Sequence, residues 1–199
     1  MFCLRWSNKK DLSASNNYLK LNNCTFSSTN GGLIVFNGSS SYAYLASCTG
    51  FNSTTWTIIV WMYYTGSGVI MQIGRSPTDA DTEAQLIPSQ FWDWDNSKGG
   101  ACFNNVNPTT TPSTLVYFQF AFVKNSTLGY FYLNGAANGT PTASQNAAYS
   151  LNDFCIGKDY RDNVSYLNGY IGRMFIYNYS MTSAEIATNF TNYRAFYNI

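Results

Sequence analysis

Gly169–Ile199, GYIGRMFIYNYSMTSAEIATNFTNYRAFYNI, is the stretch that decides the fold. Gly169–Tyr177 reads as a strand, and Thr182 then opens a helix that runs nearly to the end. Thr182–Glu185 is a Thr-x-x-Glu capping box, in which the Thr hydroxyl satisfies one orphan N–H and the Glu carboxylate another. Ile186, Phe190, Tyr193 and Tyr197 recur at helical spacing and give that helix one apolar face.

Working outward, the rest of the chain reads as strands. Short apolar runs alternate with Asn, Gly, Ser, Thr and Pro turns, the pattern of a sandwich or barrel. Leu33–Phe36 and Tyr42–Leu45 flank the turn dipeptide Asn37-Gly38. Trp56–Tyr64 is apolar on both faces, which predicts a central strand covered on each side. Val69–Ile73, Ala84–Ile87 and Ala101–Phe103 are further strand candidates. In Leu115–Lys124, Val116, Phe118, Phe120 and Phe122 alternate with Tyr117, Gln119 and Ala121, one set to each face. Tyr130–Leu133 reaches Asn134-Gly135, the dipeptide a type I′ hairpin prefers, and Ala136–Thr140 is expected to return beside it. Phe154–Gly157 and Gly169–Tyr177 complete the set. Residues 104–114, with two prolines and several threonines, read as an exposed connection.

The 199 residues fit a single domain, 1–199, with an atypical or truncated first strand within residues 1–10. Charged residues make up 11% and aromatics 18%. That charge is less than half the usual share, so Asn, Ser, Thr, Gly and Tyr must cover the surface. This balance suits an extracellular, adhesive or virion-surface protein. Net charge is +1 with no basic cluster, which lacks the positive footprint that nucleic-acid binding needs. No apolar run reaches the length of a membrane span. Met1–Trp6 is too short and broken for a signal-peptide core.

The chain contains no histidine. That removes Ser-His-Asp and Cys-His catalysis and histidine metal ligation together. The five cysteines (Cys3, Cys24, Cys48, Cys102 and Cys155) include no Cys-x-x-Cys and read first as buried free thiols, with Cys24 and Cys48 the nearest internal pair for a bridge.

Four segments in order resemble the concanavalin A-like lectin/glucanase superfamily, in its laminin-G-like jelly-roll branch. They are DLSASNNYLKLNNCTFSSTNGGLIVFNGSSSYAYL, TWTIIVWMYY, LVYFQFAFVKNSTLGYFYLNG and IGKDYRDNVSYLNGYIGRMFIYNYSMTSAEI. The resemblance implies an all-β, two-sheet antiparallel jelly-roll sandwich with one short C-terminal helix. The sequence departs from the family pattern where an Asp is replaced by Asn37 and another by Gly172, which weakens any calcium site carried over. The ending Asn189–Arg194 resembles modules of phage and large-virus structural proteins. The resemblance therefore implies a non-enzymatic virion protein, capsid, fibre or decoration, that contacts other virion chains or itself and cell-surface glycans for attachment. The alternative is an extracellular adhesion or lectin domain of a cellular organism.

Three groups of residues could carry chemistry. Glycosidic hydrolysis needs two flanking carboxylates, but the chain has only Glu83 and Glu185 as glutamates, and Glu185 is committed to the helix cap. Asp79, Asp81 and Glu83 alternate in one loop and offer hard oxygens to calcium, but without the Gly and late Glu of an EF-hand they read first as a solvated acidic loop; no other cofactor is indicated. Trp92, Asp93, Trp94, Asp95 and Asn96 combine aromatic faces with carboxylates and an amide, the chemistry of sugar recognition. In a strand the two tryptophans would share one face and the two aspartates the other, and core packing of both Trp is the competing reading. Eight Asn-x-Ser/Thr sequons (Asn23, Asn37, Asn52, Asn125, Asn138, Asn163, Asn178 and Asn189) are expected largely by chance in so Asn- and Ser/Thr-rich a chain.

Overall fold

Alternation along the central strand Thr55–Tyr64 sorts the molecule into layers. Trp56, Ile58, Val60, Met62 and Tyr64 face one way, into the larger hydrophobic cluster, while Ile59 and Trp61 face the other, into a second cluster. In the computed structural model, which describes residues 2–5, 10–11, 19–45, 52–66, 68–73, 82–95, 101–143, 149–150, 154–159 and 164–199, these two faces contact different partners. For strand residues 2–5, 10–11, 45, 52–53, 82–84, 90–95, 101–106, 143 and 149–150 only the backbone is described.

Two antiparallel sheets face each other. Among the described residues the first has ten strands, and its main path runs Ala136–Ala137, Leu128–Leu133, Tyr117–Asn125, Thr55–Tyr64, Asn168–Tyr177, Phe2–Arg5, Lys10–Asp11. Leu33–Asn37 pairs with the other half of Asn168–Tyr177. The second sheet runs Ala101–Val106, Gln90–Asp95, Thr82–Ile87, Met71–Ile73, Phe154–Ile156, Tyr42–Leu45, Lys20–Asn22. Between them lie Ile34, Phe36, Trp56, Val60, Phe118, Phe120, Phe122 and Met174 from the first sheet. Ala43, Met71, Ile73, Leu86, Phe154 and Ile156 meet them from the second. Burying each such side chain contributes on the order of 1.5–3 kcal/mol.

The outer face of the ten-stranded sheet is also apolar, and the C-terminal helix Ser183–Tyr193 covers it. Thr182 Oγ1 accepts from the Glu185 N–H (3.3 Å) and Glu185 Oε2 from the Thr182 N–H (2.7 Å), so the expected capping box is formed. The central strand is thus covered on both sides, as its composition predicted.

The structure corrects several boundaries. The helix ends at Tyr193 rather than near the terminus, and a 3-10 turn, Arg194–Tyr197, follows with Asn198 left-handed after it. The tighter turn lays the Tyr197 ring on Trp61, 4.9 Å between centroids at 15°. Leu33–Asn37 and Tyr42–Leu45 lie in different sheets, because Asn37 Oδ1 accepts from the Ser39, Ser40 and Ser41 N–H groups and so organises a crossing loop. The strand expected over Val69–Ile73 is only Met71–Ile73, and the return expected over Ala136–Thr140 stops at Ala137. Beyond it, the Asn138 side chain bonds the Thr110 backbone in both directions. Residues 104–106 belong to a strand, Ala101–Val106, where Val106 pairs with Phe91. Asn134 and Gly135 both take positive φ (50° and 80°), as the type I′ turn requires.

Candidate functional site

Two hollows open beside the helix, on the outer face of the ten-stranded sheet. The segment leading into the helix is pinned to the sheet by three hydrogen bonds. Buried Thr57 Oγ1 donates to the Tyr179 carbonyl (2.8 Å) and accepts from the Met181 N–H (2.9 Å). Ser180 Oγ donates to the Lys124 carbonyl (2.6 Å). Met181 is thereby fixed between the hollows and lines both.

The larger hollow, about 400 Å³, is lined by Tyr177, Met181, Ala184, Glu185, Thr188, Asn189, Asn192 and Tyr193. The smaller, about 260 Å³, is lined by Val123, Asn125, Tyr130, Tyr132, Ser180, Met181, Thr182 and Ser183. Together they bring four tyrosines, three asparagines and several hydroxyls around one methionine, with Glu185 as the charged member.

The aromatic rings are held rigidly from below. Phe175 contacts Tyr177 (6.4 Å, stacked) and Tyr193 (5.3 Å, tilted). Trp61 lies between Phe190 (5.7 Å, 2°) and Tyr197, with the Tyr193 edge at 6.2 Å. Each such pair contributes about 0.5–1.5 kcal/mol beyond its buried area. Rings fixed in advance lose little entropy when a ligand stacks on them.

One amide is also oriented in advance. Asn189 Oδ1 accepts from Trp61 Nε1 (3.3 Å) and from Gln119 Nε2 (3.0 Å). Both partners are donors, which assigns the oxygen and leaves Nδ2 as the free end of an amide that lines the larger hollow. Gln119 is fixed in turn, since its Oε1 accepts from the Gly135 N–H (3.0 Å). Thr188 Oγ1 donates to the Ala184 carbonyl and keeps acceptor capacity. Burial raises the Tyr132 phenol above its ordinary range. The Thr182 N–H and hydroxyl hold Glu185 below the usual carboxylate range, so it is ionised but already engaged.

Of the residues singled out from sequence, those that the structure describes lie elsewhere. Trp92, Asp93, Trp94 and Asp95 are in the strand Gln90–Asp95, where Trp94 pairs with Glu83 and Trp92 with Gln85. The register against Ala101–Val106 shifts between Phe91 and Asp93. Asn96, Asp79 and Asp81 lie outside the described residues. Among the described residues no group of three His, Cys, Asp or Glu gathers as for a metal, and no helix is long and apolar enough to cross a membrane. One of the sequons, Asn138, is buried with its side-chain nitrogen donating to the Thr110 carbonyl, which closes it to glycosylation in the folded chain. Cys24 and Cys155 are free thiols.

Sequence reasoning missed the hollows. The available signal was Asn189, a polar residue three positions after Ile186 and next to Phe190 on the face expected to be apolar.

Comparison with known proteins bears on the fold. A family model described as Concanavalin A-like lectin/glucanases superfamily matches residues 37–187. No curated protein matches the sequence. Among solved structures, domain 4 of AbnA, a GH43 extracellular arabinanase from Geobacillus stearothermophilus solved with arabinotriose, superposes with a TM-score of 0.70 at 15% identity, over 94% of this chain and 96% of that one. The botulinum neurotoxin serotype D ligand binding domain, solved with N-acetylneuraminic acid, gives 0.71 at 10% identity over 96% of this chain and 50% of that one. The binding domain of Paraclostridial Mosquitocidal Protein 1 gives 0.69 at 14% identity, over 96% and 52%. The chain spans about half the length of these toxin domains.

Proposed function

Since this chain belongs to the Concanavalin A-like lectin/glucanases superfamily, we propose that it is a non-enzymatic glycan-binding module that takes sugar in the hollows beside its C-terminal helix. The observation that carries this reading is the larger hollow, where two tyrosines held by packing stand beside a preset asparagine amide and the amide of Asn192. Sugars present C–H faces to aromatic rings and hydroxyls to amides, and this lining supplies both. The structural neighbours solved with arabinotriose and with N-acetylneuraminic acid support the ligand class. The role of Glu185 as a helix cap, together with the absence of histidine, supports a binding rather than a hydrolytic role.

A glycan panel probed with the wild type, Tyr177→Ala and Trp92→Ala tests this. Loss of signal in Tyr177→Ala alone supports the hollow. Loss in Trp92→Ala alone moves the site to the Trp92–Asp95 strand, and silence from the wild type removes the reading.

The finer proposal is that this module is part of a virus particle and serves attachment. Its support is the low charge, the ending Asn189–Arg194 and the free thiols of Cys24 and Cys155, which fit assembly in a reducing compartment. Detection of the chain in purified particles tests it, and its absence from them counts against it.

A further inference from the structure

Tyr197 is 2% exposed, yet its hydroxyl has no hydrogen-bond partner. The hydroxyl sits over Gly172, where an added Cβ would lie 2.3 Å from it. Arg173, the next residue, carries a second orphan: its Nη1 is buried and also unpartnered. Its guanidinium is packed against Tyr193 (4.7 Å) and Phe196 (4.3 Å), and Phe196 is itself 47% exposed.

A buried guanidinium N–H without an acceptor and a buried phenol without a partner each carry a desolvation cost. An oxyanion would relieve both, because it accepts from the guanidinium and the phenol.

We propose that Arg173 and Tyr197 form a binding site for an oxyanion, either a carboxylate or a sulfate. Neither Arg173 nor Tyr197 lines the hollows beside the helix. The same oxyanion could come from a free ion or from an acidic sugar.

Thermal unfolding in sulfate, acetate, glucuronate and glucose, each balanced with sodium chloride to equal ionic strength, tests this on the full chain. The expected result is a midpoint rise of about 3–6 °C at about ten times the Kd of sulfate or carboxylate, and none with glucose. Glucuronate acting at lower concentration than acetate would identify the sugar-borne source, and equal potency the free carboxylate; both support the site. Tyr197→Phe removes the hydroxyl alone. If the phenol is merely an unsatisfied group, this variant keeps the full anion effect and is at least as stable as the wild type, which overturns the proposal. Loss of the anion effect in Tyr197→Phe, and in Arg173→Gln if it folds, supports it. Equal stabilisation of the wild type by chloride and sulfate overturns it outright.

Discussion

Gln119 Nε2 donates to Asn189 Oδ1 across 3.0 Å, and both residues are buried between the outer face of the ten-stranded sheet and the helix that covers it. The bond makes the helix orientation specific, because apolar packing alone tolerates sliding. It also decides which end of the Asn189 amide is offered to the larger hollow.

Asn189→Leu should therefore destabilise the chain although it adds apolar surface. It strands two buried donors, Trp61 Nε1 and Gln119 Nε2, at a combined cost of about 2–4 kcal/mol. Urea denaturation measures this. A loss near zero would mean that aromatic packing alone docks the helix.

Gly172 is required by contact with the C-terminal turn. A Cβ there would meet Tyr197 at 2.3 Å from the hydroxyl and 2.6 and 2.8 Å from ring carbons. Gly172→Ala should cost about 1–3 kcal/mol, the usual penalty for overpacking. Because the clash needs the ring, the cost in a Tyr197→Ala background should be much smaller, and a double-mutant cycle reads the difference. Additive losses would place the strain in the backbone instead.

The helix cap should contribute to the acid limb of stability. The folded carboxyl of Glu185 is held below its ordinary range by Thr182, so its contribution is present above the unfolded pKa and is lost as pH falls through the folded one. Glu185→Gln should flatten that acid limb. Thr182→Ala should cost about 1 kcal/mol at neutral pH, as for other N-cap deletions. Stability curves from pH 7 to pH 3 check both, and an unchanged acid limb in Glu185→Gln contradicts the assignment.

The two described thiols should be inert in the folded chain. Burial pushes Cys24 up to about 11 and Cys155 up to about 12. Both should resist a thiol reagent at pH 8 and react once the chain is unfolded, with the labelled sites read by mass spectrometry. A raised folded pKa makes this contribution complete below the ordinary thiol range and removes it as pH rises through the folded values. Stability should accordingly fall from about pH 9 upward. Rapid labelling of Cys155 at pH 8 would contradict its burial.

Much of the fold was legible because side-chain alternation is a local signal. Phe118, Phe120 and Phe122 against Gln119 and Ala121 give the two faces of their strand directly. The Thr182–Glu185 box gives the helix start, and Asn134-Gly135 gives a hairpin. Alternation specifies faces and not partners, so the crossing at Asn37–Ser41 between sheets was not legible. The hollows were hidden for a related reason: Asn189 gains its role from Trp61 and Gln119, 128 and 70 residues away in the chain. The sugar-like run Trp92–Asp95 stands out in the sequence because its chemistry is contiguous, whereas that of the hollows is assembled from three separate stretches of chain.

The most direct test is an NMR titration of the wild-type chain with the best ligand from a glycan panel, following side-chain amides and aromatic rings. Binding at the hollows should shift the Asn189 and Asn192 amides and the Tyr177 and Tyr193 rings first, with Trp92 and Trp94 unmoved. Shifts confined to the Trp92–Asp95 strand, or none with any glycan, would contradict the assignment of sugar binding to the face beside the C-terminal helix.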